Sequence, residues 1–245
     1  MSLGLDLPKM KGLFVTGTDT GIGKTLIAGG IANLIRFNGK KVGVFKPVGS
    51  GCEHQHEGLV NADSEFLRSC SHCNFSLSEI NPVGFVTPAA PLVCEEFENR
   101  AVDFEAIKAA YTKISAESEY MVVEGIGGVR VPISVNIDVL DLAKEFQMPV
   151  LIVTRPDLGT INHTLLTIDA VRNAGLEIAG VVISGYDIES AGLAEESLAA
   201  VLEEVGKVEV LSIVPRDEES CVEENKLGNE VIEALSEIDW VEIGR

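Results

Sequence analysis

The sequence predicts an α/β protein built on a single doubly wound, mostly parallel sheet flanked by helices. Three observations carry that expectation. Short runs rich in Val, Ile and Phe recur along the chain, several of them apolar at every position, as strands buried on both faces require. Stretches with helical spacing separate these runs, so strand and helix alternate. The 245 residues, 46% of them hydrophobic, suffice for one substantial core, and no repeat or low-complexity linker divides them.

The elements follow in order. Residues 1–9 read as an N-terminal extension outside the fold, with 10–245 as one domain. A strand at 12–16 (GLFVT) feeds a glycine-rich turn and a helix over 24–38, which Gly39 stops. A strand at 41–46 (KVGVFK) follows. Residues 49–102 fit neither period well and are expected to form long loops over one sheet edge. Beyond them come a helix at 103–116, a strand at 120–124 (YMVVE), a helix at 138–146 and a strand at 150–154 (VLIVT). A helix at 160–174, stopped by Gly175, precedes a strand at 180–184, a helix at 190–204, a strand at 209–214 and a helix at 227–235.

Composition narrows the function. The net charge of −19 argues against nucleic acid or an anionic membrane as partner. From 186 to 245 there are 17 acidic and 4 basic residues, a balance of −13 that leaves −6 for the first 185. That acidic excess reads as a solvated face, so an anionic ligand belongs in the first two-thirds. No run of about 18 apolar residues predicts a membrane span, and the first residues do not read as a signal peptide. The five cysteines show no framework spacing, so reduced thiols and the cytoplasm are expected.

Phe14 to Thr25 reads FVTGTDTGIGKT, a strand, a glycine-rich loop, Gly-Lys-Thr and a helix in order. Such a loop turns its backbone N–H groups on a phosphate and sets the anion at a helix N-terminus. Lys24 would reach the β- and γ-phosphates, and the Thr25 hydroxyl would ligate Mg²⁺. The common phosphate loop has glycine at the position of Thr18; here it comes one residue early, at Gly17. The dinucleotide pattern G-x-G-x-x-G is absent. In VVEGIGG, Glu124 ends a strand beside flexible backbone and could face a metal. Asp63, alone, could simply cap a helix. Lys46 follows an apolar strand and should face the same edge as Lys24, where a cation offsets charge on a transferred phosphoryl group. Ser50, four residues on, could add a hydrogen bond. The stretch TRPDLGTINHTLLTI breaks a strand and starts a helix at Thr160 or Asn162, a second anion site suited to a carboxylate. His163, in that helix's first turn, reads as capping or packing. Cys52, His54, His56, Cys70, His72 and Cys73 hold soft ligands, yet their spacing matches no standard zinc pattern.

Taken together, VTGTDTGIGKT, KPVGSG, GLVNAD, VEGIGG and LGTINHTLLT, in that order, resemble the dethiobiotin synthetases, a branch of the P-loop NTPases. The longer loop is that family's own variant. The resemblance implies ATP- and Mg²⁺-dependent carboxylation of 7,8-diaminononanoate and ring closure to dethiobiotin, through a carbamate and a carbamic-phosphoric anhydride. It implies that Thr20, Lys24, Lys46 and Ser50 surround carbamate and γ-phosphate. Gly21, Ile22, Gly23, Lys24, Thr25 and Leu26 would hold ATP, with Gly125, Ile126 and Gly127 beside Glu124. Thr25, Asp63 and Glu124 would hold Mg²⁺. Ser184, Gly185, Pro215, Arg216 and Asp217 match the base side. A homodimer is implied, in which Gly159, Thr160, Ile161 and Asn162 reach the substrate carboxylate of the other subunit. Two positions depart from the family: Gly21 stands where an acidic residue is frequent, and Ser184 where an Asn reads adenine. One hydroxyl cannot copy an amide's paired donor and acceptor, so weaker base selectivity is expected. Switch ATPases of the partitioning kind carry an extra loop lysine that GTDT lacks, and GTPases need N-K-x-D where the chain has only NKLG at Asn225. An amidase-type relative and a nucleotide sensor without chemistry are the remaining alternatives. Phosphate release that depends on the diamine separates the enzyme from a sensor or switch.

Overall fold

The computed structural model describes residues 3–245. β1 (Gly12–Gly17) runs through the glycine-rich turn into α1 (Lys24–Phe37) and on to β2 (Val42–Phe45). Next come β3 (Val48–Gly49), β4 (Glu53–Gln55), β5 (Gly58–Val60), α2 (Ala62–Ser71), α3 (Leu77–Ile80), β6 (Val83–Gly84) and α4 (Pro91–Glu98). α5 (Phe104–Glu117) leads to β7 (Tyr120–Gly128), β8 (Pro132–Ser134), β9 (Ile137–Asp138), α6 (Val139–Phe146) and β10 (Val150–Thr154). α7 (Thr160–Asn173), β11 (Ile178–Tyr186), α8 (Leu193–Gly206), β12 (Val210–Pro215), α9 (Asn229–Ser236) and α10 (Trp240–Ile243) complete the order.

Six strands form one parallel sheet in the order β12-β11-β10-β1-β7-β2. Alternate residues feed two cores. Phe14, Met121 and Val123 point into one; Leu13, Val15, Tyr120 and Val122 point into the other, with Ile27, Ile31 and Ile35 of α1. Period-2 alternation of side chains makes both faces apolar, which is why β1 is buried at every position. The chain passes from β1 to the edge at β2, returns to β7, then crosses to β10 on the far side of β1. Winding therefore reverses at β1, and a ligand cleft belongs beyond its carboxyl end. None of the described helices is long and apolar enough to cross a membrane.

All six expected strands and the six expected helices form, most of them within two residues of the expected ends. Two expectations fail. Residues 49–102 are not chiefly long loops but contain α2, α3 and α4. Local capping builds these short helices: Asn61 Oδ1 accepts the Ser64 N–H at 2.8 Å, and the Ser76 N–H donates to Glu79 Oε2 at 2.8 Å. Pro91 opens α4 at its first turn. Second, the N-terminal segment is not outside the fold. Leu5 and Leu7 are 3% and 7% exposed within the first core. The N–H groups of Leu3 and Leu5 donate to the two carboxylate oxygens of Glu145, at 2.6 and 2.9 Å. Leu5 and Leu7 turn inward and Leu3 packs beside them, while Gly4 (φ 67°) and Asp6 (φ 49°) between them are left-handed, so a turning and not an extended backbone carries this packing. Met1 and Ser2 of that segment lie outside the described residues.

Candidate active site

The loop between β1 and α1 is shaped by what surrounds Gly17. That residue pairs with Val153 on one side and Gly128 on the other. A Cβ there would lie 2.7 Å from Ile22 Cδ1, 2.9 Å from Asp19 O and 2.9 Å from Lys24 Cδ. The loop curls back over this residue, so glycine is needed at 17 and not at 18. Gly23 caps α1 with φ of 91°, a left-handed geometry that costs a residue with a Cβ. Lys24 Nζ donates to the carbonyl of Asp19 at 2.8 Å and closes the extended loop like a strap. Burial lowers the Lys24 pKa, with Lys46 adding to the effect and Glu124 opposing it. The first turn of α1 carries no acidic side chain, so its free N–H groups face the cleft unopposed.

Lys46 just past β2, Glu124 in the middle of β7 and Asp63 in the first turn of α2 bring the remaining charges there. Lys46 follows β2 and is 3% exposed, and Glu124 of β7 is 1% exposed. Lys46 Nζ donates to Asp63 Oδ2 and to Glu124 Oε1, each at 2.6 Å, and to the carbonyl of Gly125 at 3.3 Å. Thr25 Oγ1 donates to the same Glu124 oxygen at 2.9 Å. Burial alone would lower the Lys46 pKa, but the two carboxylates overcome it and hold the ammonium charged. Burial likewise works to raise the Asp63 carboxyl, yet Lys46 keeps it below its ordinary value. Glu124 is pushed up by burial, with Lys46 pulling the other way. Its Oε2 is buried and has no hydrogen-bond partner.

These groups line a cleft of about 540 Å³. Of the residues expected from sequence, Thr20 to Leu26, Lys46, Ser50, Asp63, Glu124, Ile126 and Gly127 face it together. Gly125 contributes its carbonyl to Lys46 instead. Asp63 sits in the first turn of α2, but Asn61 is that helix's cap, which leaves the Asp63 carboxylate for the cleft. The base-side residues are not in the lining. Ser184 is buried under the loop, its hydroxyl where a Cβ on Gly23 would go. Arg216 N–H donates to the Tyr186 carbonyl at 2.9 Å. Asp217 organises a turn, accepting from Glu219 N–H at 2.9 Å and from Ser220 Oγ at 3.1 Å. Beyond that turn, Ser220, Cys221, Val222 and Glu223 line the cleft, and sequence reasoning missed them. The acidic residues that flank them, Asp217 to Glu219 and Glu224, make the stretch read as solvated surface; only its position past the carboxyl end of β12 signals otherwise.

A second cleft, also of about 540 Å³, shares Thr20 with the first and is lined by residues 128–132 and by His163, Leu166 and Thr167. His163 is exposed to it, and no side-chain hydrogen bond ties it to the helix, so the expected capping role does not hold. Gly159 to Asn162 line neither cleft. Gly159 caps α7 with φ of 96°, and the preceding Leu158 is 86% exposed. The soft-ligand residues do not converge: His54 is exposed on the β4–β5 hairpin, Cys52 and Cys70 are buried, and no group of three or more potential metal-holding His, Cys, Asp or Glu side chains occurs among the described residues.

Residues 11–224 match the sequence family described as AAA domain. The ATP-dependent dethiobiotin synthetase BioD of Bacillus velezensis is 40% identical over 207 residues, spanning 84% of this chain and 87% of that protein. Its namesake from Methanococcus vannielii is 38% identical over 216 residues, spanning 88% of this chain and 98% of that protein. Among solved structures, a plasmid partition protein of Borrelia burgdorferi bound to AMPPNP superposes with a TM-score of 0.60 at 15% identity, covering 96% and 98% of the two chains. The cell-division protein MinD of Aquifex aeolicus gives 0.57 at 12% identity, covering 96% and 95%. At those identities the structural likeness speaks to the fold alone.

Proposed function

The chain belongs to the ATP-dependent dethiobiotin synthetase family, and from that premise we propose that the cleft beyond β1 is where its reaction takes place. The activity is carboxylation and ring closure of 7,8-diaminononanoate with CO₂, using ATP and releasing ADP and phosphate. The whole described chain acts as one domain. One observation carries the reading of the site: Lys24 and Lys46 come from different strand ends yet line a single cleft with Thr25, Asp63 and Glu124.

The roles follow from the geometry. The loop N–H groups from Gly21 to Leu26 bind the phosphates, and Lys24 straps the terminal one. Thr20 and Ser50 offer hydroxyls beside Lys46 for the carbamate. The substrate carbamate oxygen attacks the γ-phosphorus as the bond to ADP breaks, and the second amine then displaces phosphate to close the ring. The protein adds little covalent chemistry; positioning and cationic charge do the work. Thr25, Asp63 and Glu124 form an all-oxygen donor set suited to Mg²⁺, and the orphaned Glu124 Oε2 supplies a free acceptor. Bound there, Mg²⁺ would neutralise phosphate charge and leave Lys46 free to face the carbamate. The base side is formed by Ser184 and Gly185 beneath the loop, with Pro215 to Asp217 and the following turn.

Gly159 to Asn162 form the second anion site and meet the substrate carboxylate across a homodimer. Support for this comes from the exposed Leu158 beside them and from their lining neither cleft of their own chain. The charge and cysteine pattern support a cytoplasmic enzyme that uses neither nucleic acid nor membrane. The deciding assay is ATP hydrolysis dependent on diamine, bicarbonate and Mg²⁺, with dethiobiotin identified by mass. Hydrolysis that ignores the diamine would replace this reading with a nucleotide switch.

A further inference from the structure

Thr154, the last residue of β10, is buried, and three other hydroxyls surround its own. Its Oγ1 lies 3.1 Å from Thr18 Oγ1 in the phosphate loop. It lies 2.6 Å from Thr160 Oγ1 and 2.9 Å from Thr164 Oγ1, one turn apart on α7. A hydroxyl has one proton to give and two lone pairs to accept with. Three neighbours therefore saturate Thr154: it donates to one and accepts from two. α7 pays attention to this hub at the expense of its own back-bonding. Thr167 on the same helix makes the ordinary bond to the His163 carbonyl at 2.9 Å, whereas Thr164 turns to Thr154. The backbone repeats the tie, since the Thr18 N–H donates to the Val153 carbonyl at 3.1 Å.

We propose that Thr154 is a positioning residue that couples the phosphate loop of one subunit to the N-terminus of its own α7, which holds the carboxylate of the diamino acid in the partner's site, so that nucleotide and diamino acid bind interdependently across the homodimer. The inference rests on the reading that Gly159 to Asn162 hold the substrate carboxylate. Thr18 is two residues from Thr20 of the cleft, and Thr160 is the first residue of α7, so one buried oxygen joins the two ligand-holding segments. A phosphate that orders the loop fixes Thr18, and through Thr154 it fixes the first turn of the helix. Linkage makes the effect reciprocal in the two affinities.

The test measures the dissociation constant of 7,8-diaminononanoate for the full chain by calorimetry, with and without the β,γ-imido analogue of ATP and Mg²⁺. In the natural protein the analogue tightens diamine binding by about fivefold or more, the lower end of measured couplings. In Thr154→Val that factor falls to near one, and Thr154→Ser, which keeps the hydroxyl, restores it. An unchanged factor in Thr154→Val, or a Ser variant that loses coupling as Val does, overturns the proposal. Should Thr154→Val not fold, Thr18→Val cuts one arm of the hub and the same two outcomes decide. Asn162→Ala separates the underlying reading: if it leaves diamine affinity unchanged, the carboxylate site is elsewhere. If it weakens binding while Thr154→Val stays coupled, only the hub is refuted.

Discussion

Lys46 Nζ stands 2.6 Å from Glu124 Oε1, and both side chains are almost wholly buried. A second carboxylate, Asp63, meets the same ammonium at the same distance. The lysine read as the phosphoryl-stabilising cation thus occupies the carboxylates read as metal ligands. Lys46→Ala is expected to lower turnover by ~10², the effect of losing one electrostatic stabiliser. It should at the same time raise Mn²⁺ affinity by about tenfold, because a competing charge near these carboxylates is worth at least ~1.4 kcal/mol at the low effective dielectric of a protein site. Steady-state kinetics and Mn²⁺ titration by electron paramagnetic resonance read the two effects separately. Near-normal turnover would remove Lys46 from the mechanism.

The same ion pairs set a pH window for stability. Asp63 is held below its ordinary value, so its contribution is present above about pH 4 and is lost as pH falls through the folded value. Lys46 is held above its ordinary value, so its contribution is full at neutral pH and disappears only as pH rises past the usual lysine range. The gap in melting temperature between the natural protein and Asp63→Asn should therefore be constant from pH 6 to 8 and close towards pH 3. A gap that widens on acidification would contradict an ionised Asp63.

Gly17→Ala places a methyl group against Asp19 O, Ile22 and Lys24 Cδ, all under 3.0 Å. Backbone on one side and the strap lysine on the other leave no cheap escape, so the loop must shift. A displacement of about 1 Å at the phosphates costs on the order of 10² in rate. Loss of turnover on that scale, with the circular dichroism spectrum intact, is expected; full activity would show that the loop opens freely.

On the proposed reading, in which Ser184 stands on the base side, weak base selectivity is expected. The Ser184 hydroxyl is buried beneath Gly23 and presents no amide to a base edge. Turnover with ATP, CTP and GTP at saturating diamine is expected to agree within about tenfold. A preference for ATP beyond about a hundredfold would assign base reading to the segment Ser220 to Glu223, which lines the cleft.

The sheet was legible because its strands announce themselves locally. VTGTDTGIGKT carries its chemistry in adjacent residues, and Lys46 and Glu124 each end an apolar run. Residues whose role depends on distant parts of the chain were less legible. Asp63 looks like a helix cap until Asn61 is seen to fill that role. Ser220 to Glu223 carry no pattern of their own within an acidic stretch, and the hub at Thr154 needs β10, α7 and the loop to be in place before its neighbours exist.

The N-terminal segment gives the last prediction, because its burial contradicts its bland composition. Leu5 is 3% exposed among the residues of the first core, and Glu145 receives the N–H groups of Leu3 and of Leu5 itself. A buried carboxylate left without such donors is costly, so apolar packing and hydrogen bonding reinforce each other here. Leu5→Ala removes the packing alone and should cost about 2–4 kcal/mol, the range for a leucine truncated in a core. For a domain of this size each kcal/mol shifts the melting temperature by roughly 2–4 °C, so a drop of several degrees is expected by calorimetry. Glu145→Gln keeps the shape but leaves one acceptor oxygen and sets its NH2 against the second N–H, and it should fall between Leu5→Ala and the natural protein. If both variants melt with the natural protein, residues 3–9 contribute nothing to the fold and their seat on α6 is incidental.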